Sequence, residues 1–133
     1  MKIDKDLMDS LTLQAKASPR LRMTFDLRNS VADQSQRMLN AIEPGSQVPI
    51  HRHTKSSETV VVLRGSLREI YYDETGQKKM CVIDLAPKSE NVAINIPKGQ
   101  WHTARALESG TVVLACKDGK YEPLTDEDIL HVL

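Results

Sequence analysis

Near the start of the chain apolar residues recur every four positions, at Ile3, Leu7, Leu11 and Ala15, with Met8 and Leu13 beside them. This is the spacing of one helical face and predicts a helix over 4–18. Asp4 can cap its first turn, and Ser18 ends it because the residue before Pro19 is pushed out of the α region. From Arg20 the period drops to two. Leu21, Met23, Phe25 and Leu27 alternate with Arg20, Arg22, Thr24, Asp26 and Arg28, as in a half-buried strand. A polar loop over 29–35 and a strand over 37–42 follow. Residues 59–63 are almost all β-branched, as in a strand covered on both faces. Further strands are predicted over 67–72, 79–85, 92–96, 101–107 and 111–116. Gly65-Ser66, an Asp73–Gly76 hairpin turn, a loop over 86–91 and Ser109-Gly110 separate them. In the tail, Thr125 and Asp128 have capping-box spacing ahead of an apolar stretch that ends at Leu133, which predicts a short C-terminal helix. Many short strands at this spacing predict an all-β protein of the double-sheet jelly-roll type.

Length and charge narrow the picture. A chain of 133 residues suits one domain. It reads as a helix over 4–18, a β-barrel over about 20–117 and a tail over 118–133. Eighteen basic and eighteen acidic residues cancel, so no global field draws in nucleic acid or an anionic membrane. No apolar run approaches the roughly 18 residues that span a bilayer, and the mixed-charge start lacks the form of an export signal. The expectation is a cytoplasmic protein. Cys81 and Cys116 form no close pair and are expected to be reduced core residues on strands.

The chemistry concentrates in two stretches. In the first, Gly45 is followed by His51, His53, Glu58 and Gly65. In an extended strand, residues two apart point to the same side, so both imidazoles can lean onto one point, where Glu58 adds a charged arm. In the second, Pro97 and Gly99 form a turn and His102 follows as the chain re-enters a strand. An isolated His-x-His is more often an exposed pair than a metal site. Here the glutamate, the glycines and the distant histidine would all have to coincide by accident. Three neutral imidazoles and one carboxylate suit a divalent transition metal ion (Fe, Mn, Ni or Zn). A metal preferring six ligands keeps about two positions open, and the net charge of the set attracts an anionic oxygen.

These two stretches resemble the motifs of the cupin superfamily. Gly45, His51, His53, Glu58 and Gly65 fall on its first motif, and Pro97, Gly99 and His102 on its second. Asn91 stands where the second motif has a glycine, and Ala106 where it often has an asparagine. Within the superfamily the chain is similar to the WbuC-type cupin metalloproteins. The likeness runs through 37–45, 57–65, 101–103 and 117–121. It implies a single-domain cupin double-stranded β-helix, a jelly-roll barrel, with His51, His53, Glu58 and His102 as metal ligands. It also implies a homodimer and a setting in surface-polysaccharide or sugar metabolism.

The functional expectation is a metal-dependent protein that binds an oxygen-rich, anionic small molecule. It would be an enzyme of oxygenase, isomerase or lyase type, or alternatively a non-catalytic binding or sensing module. A third reading has the metal only bracing the barrel. A proton-transfer residue near the metal favours the enzyme, and a wholly apolar pocket the binder. His131 is expected at the surface or in packing, Trp101 in the core, and Asn40 near the site. One of Tyr71 and Tyr72 is expected to face inward. Arg20, Arg22, Arg28 and Arg37 read as a solvated strand face, with a role at the barrel mouth as the less common alternative.

Overall fold

The computed structural model describes residues 1–130. Helix α1 spans Lys5–Ala17, and the strands are β1 (Arg22–Asp26), β2 (Ser35–Ile42), β3 (Ile50–His51), β4 (Glu58–Arg64), β5 (Leu67–Tyr72), β6 (Lys79–Leu85), β7 (Ala93–Ile96), β8 (His102–Ala106), β9 (Thr111–Asp118) and β10 (Ile129–Leu130). They form two five-stranded sheets of order β1-β2-β9-β4-β7 and β10-β3-β8-β5-β6, with antiparallel neighbours throughout. This is the jelly-roll barrel that the strand spacing predicts.

Alternation along β2 explains how the first sheet is covered on both sides. Leu39 and Ala41 point outward and pack with Leu11 and Ala15 of α1 and with Val112, while Ile42 joins the barrel interior. Met23 and Phe25 of β1 also pack on the helix side. The helix is capped as expected, with the Asp4 carboxylate accepting from the Leu7 amide at 3.0 Å. Arg64 ties it to the barrel by donating to Asp9 at 2.6 Å and to Thr12 at 3.0 Å. The interior core comes from both sheets, among them Val60, Val62, Leu67, Leu85, Ile96, Ala104 and Val113.

Three details differ from the sequence reading. The C-terminal helix is a single 3-10 turn, Asp126–Asp128, without a side-chain bond from Thr125, and the chain then pairs with β3 as β10. Cys81 is exposed, because β6 is an edge strand with one side open, whereas Cys116 is half-buried; both are free thiols. Arg22 lines an interior cavity instead of a solvated face. The expectation for His131 lies outside the described residues.

Candidate metal centre

His51 on β3 and His102 on β8 are direct register partners, so the two sequence stretches meet side by side. His53 follows just after β3 ends, and the amide of Gly99 donates to its carbonyl at 2.8 Å, which pins the Pro97–Gly99 turn against it. The ring centroids of His51 and His102 are 4.2 Å apart, those of His51 and His53 5.1 Å, and those of His53 and His102 5.6 Å. One ring nitrogen from each lies within 4.8 Å of the others. Glu58 opens β4 on the facing sheet, and its Oε1 is 3.9 Å from His53 Nε2 and 3.8 Å from His102 Nε2. All four residues singled out in the sequence therefore come together.

The rings are held for ligation. Nδ1 of His51 lies 2.8 Å from the Pro49 carbonyl and Nδ1 of His102 lies 2.9 Å from the Gln100 carbonyl. A carbonyl can only accept, so each Nδ1 carries the proton and each Nε2 keeps its lone pair for a metal. His53 is set differently: its Nδ1 faces Lys117 Nζ at 3.3 Å. An ammonium there donates to Nδ1 and opposes a cation beside the ring. Burial lowers the pKa of Lys117 and so reduces that opposition.

The electrostatics follow from burial and mutual contact. Burial first, then the neighbouring His102, pushes His51 down to about 4, and burial does the same to His53. Both are neutral imidazoles at neutral pH, the form that ligates. Burial also works against a charged His102, but Glu58 and the Gln100 carbonyl outweigh it and raise its pKa. For Glu58, desolvation favours the neutral acid, yet His102, His53 and Lys117 together lower its pKa and keep it a carboxylate. Three imidazoles and one carboxylate fit a divalent first-row ion. With bonds of about 2.0–2.2 Å, neighbouring donors on one ion stand roughly 3–3.5 Å apart, so Glu58 has to draw in toward His53 and His102 by less than about an ångström and the ring nitrogens toward one another by up to about 1.8 Å.

Beside these residues lies a cavity of about 170 Å³, lined by His51, Glu58 and His102 together with Arg22, Asn40 and Glu69 and apolar side chains of both sheets. Glu69 was not singled out in the sequence. It is 3% exposed, and its Oε2 has no hydrogen-bond partner among the described residues. Burial pushes its carboxyl up to about 8. Trp101 is buried and donates from Nε1 to the Glu74 carbonyl at 3.1 Å, outside this cavity. Tyr71 packs against the interior core.

Three histidines and a glutamate gathered at one end of a two-sheet barrel define a cupin-fold protein with side chains able to hold a metal ion. The sequence matches, over residues 3–83, the family described as Domain of unknown function (DUF6016), and the chain belongs to that family. That match takes in His51, His53 and Glu58. No curated protein matches the sequence.

Among solved structures, the chain is similar to an oxalate oxidase in complex with the substrate analogue glycolate, with TM-score 0.62, 16% identity, and coverage of 79% of this chain and 54% of that one. It is similar to the capsular polysaccharide assembling protein CapF from Staphylococcus aureus, with TM-score 0.61, 18% identity, and coverage of 80% of this chain and 30% of that one. It is also similar to KdgF from Halomonas sp., with TM-score 0.58, 17% identity, and coverage of 78% and 84%. The chain thus spans about half of the oxalate oxidase and less than a third of CapF. At these identities the likeness speaks for the fold.

Proposed function

We propose that His51, His53, Glu58 and His102 bind one divalent transition metal ion (Fe, Mn, Ni or Zn), and that an oxygen-rich, anionic small molecule occupies the adjoining cavity. The observation that carries this reading is the convergence of three imidazoles and a carboxylate, of which His51 and His102, both held with Nε2 free, and Glu58 line the wall of a cavity. A bound ion there would polarise an oxygen of the guest. The chain's own residues would orient that guest and exclude water from it.

The reading extends to an enzyme of oxygenase, isomerase or lyase type. A wholly apolar cavity would favour a non-catalytic binder, and Glu69 is instead a carboxyl able to move a proton beside the histidines. We place the protein in surface-polysaccharide or sugar metabolism, a setting supported by the fold it shares with CapF. We further take it to be a single cupin domain over residues 1–133 that acts as a cytoplasmic homodimer of the WbuC type.

The test is metal analysis of untagged protein purified without chelators, in parallel with His51→Ala and His102→Ala. One equivalent of metal in the native chain and a large loss in both variants is expected. Equal metal in all three would refute the ligand assignment.

A further inference from the structure

Three polar side chains outside the four-residue set line the cavity: Arg22 on β1, Asn40 on β2 and Glu69 on β5. Arg22 donates from Nη1 to Ser46 Oγ at 3.3 Å and to the Gln47 carbonyl at 2.9 Å, both uncharged acceptors. It forms no ion pair among the described residues, although it is partly desolvated. Asn40 accepts from Thr24 Oγ1 at 2.7 Å through its side-chain oxygen, which leaves its NH2 as the free end. Glu69 is buried with an unpartnered oxygen. Its register partner across β5 and β8 is Ala104, and Tyr71, two residues on, pairs with His102. Glu69 and His102 therefore share the inner face as diagonal neighbours, about 7–8 Å apart along the backbone. A small guest can bridge that gap.

A buried carboxyl without a partner lowers stability unless something bound supplies the missing contact. An ionised carboxylate that is 3% exposed and lacks a partner is far costlier than the neutral acid. The negative charge of an anionic guest offsets the pull of a bound ion toward ionisation, so Glu69 offers a hydrogen. Arg22 and Asn40 offer hydrogens as well. The cavity thus presents donors from both sheets, and only a guest rich in acceptor oxygens completes them. A cavity of about 150 Å³ takes a ring of six carbons, so about 170 Å³ admits roughly six to eight non-hydrogen atoms.

We propose that Arg22 and Glu69 select the guest: a compact organic dianion, one carboxylate held by Arg22 and Asn40 and the other oxygen end taking the hydrogen of Glu69 beside the histidines. This deepens the metal-site reading and rests on it, because the second oxygen end lies between Glu69 and the ligand set.

The test is calorimetric titration of malonate, which has seven non-hydrogen atoms, and of 1,3-propanediol, its uncharged counterpart. Each is titrated into manganese-loaded native protein, Arg22→Leu, Glu69→Leu and Glu69→Gln, with metal content measured before and after. Native protein is expected to bind malonate at least about tenfold more tightly than the diol. Arg22→Leu and Glu69→Leu should each weaken malonate about tenfold or more. Glu69→Gln, whose amide still donates, should stay within about threefold of native. All four should hold equal metal. No malonate binding by loaded native protein, or equal binding of malonate and diol, would overturn the proposal without needing any variant. So would unchanged malonate affinity in both leucine variants, or metal loss in Glu69→Gln, which would make Glu69 a metal ligand. Native protein that takes up no metal at all would instead refute the metal site itself.

Discussion

Replacing Glu69 with glutamine converts a titrating carboxyl into an amide of nearly the same volume, and the consequence for stability depends on pH. In the folded chain burial holds the carboxyl protonated to about 8, against an ordinary value of 4.5. Between those values the unfolded chain has released a proton that the folded chain retains, so native stability falls as pH rises, by up to about 1.4 kcal/mol per unit. From about pH 5 to about pH 8 the loss sums to roughly 4 kcal/mol, a large share of the roughly 5–15 kcal/mol that holds a domain folded. The glutamine variant has no proton to lose and lacks this slope. Its stability relative to native protein should rise by about 4 kcal/mol over that interval. Urea unfolding of metal-free protein, followed by the fluorescence of Trp101, the sole tryptophan, measures it. Chelation matters because a divalent ion nearby would favour the ionised carboxyl and flatten the native slope. Stability curves for the two proteins that run parallel within about 1 kcal/mol would refute the account, since they would mean that Glu69 titrates as it does in water.

His51 and His53 act in the opposite direction. Their folded values of about 4 lie below the ordinary 6.5, so the unfolded chain binds protons that the folded one refuses. Metal-free protein should lose stability as pH falls from about 6.5 to about 4, by about 3 kcal/mol from His51 and less from the more solvated His53. Urea midpoints across that range, compared with His51→Gln, measure the effect. His102, whose value is raised, adds stability that is present below 6.5 and lost as pH climbs through its folded value, which partly offsets the acid loss. Lys117→Met should tighten metal binding about tenfold or more at neutral pH, because it removes an ammonium 3.3 Å from His53 Nδ1. Competition with a chromophoric chelator reads this, and weaker binding would show that the amine instead accepts from Nδ1 and supports the ligand. Gly65→Ala should cost roughly 3 kcal/mol by chemical unfolding. Gly65 has φ +85°, and a Cβ there would come within 2.6 Å of the Thr111 Cα.

The ligand set was legible in the sequence because its chemistry constrains spacing. His51 and His53 must flank one short extended turn of chain, Glu58 must open the next long strand, and His102 must follow a Pro-Gly turn. β3 and β10 were not legible, because two-residue strands are too short to show a period. Arg22 was misplaced for a different reason. Alternation correctly put Met23 and Phe25 on one face of β1 and Arg22 and Thr24 on the other, but the apolar face is the one that α1 covers. On the polar face Arg22 lines the cavity, while Thr24 and Asp26 are exposed and Thr24 bonds its register partner Asn40. Strand periodicity separates two faces without saying which of them is interior when a helix supplies the second cover. Glu69 had a usable signal in its place between Leu67 and Tyr71 on the inward side of β5. That signal was masked because Ile70, on the other side, is buried too.

The cavity and the ligand set at its edge gather groups that each work against the empty fold: an unpartnered buried carboxyl, the His51 imidazole kept neutral by burial with His53 next to it, and a partly desolvated guanidinium with uncharged partners. A fold shaped by packing alone would fill such positions with apolar side chains. Because one guest and one ion would together satisfy all of them, each should ease the binding of the other. Malonate and manganese added together should therefore raise the melting temperature by more than the sum of their separate effects. Scanning calorimetry of native protein with each alone and with both decides it. Equal stabilisation by malonate with and without metal would separate the donors from the histidines and break the link on which a shared site depends.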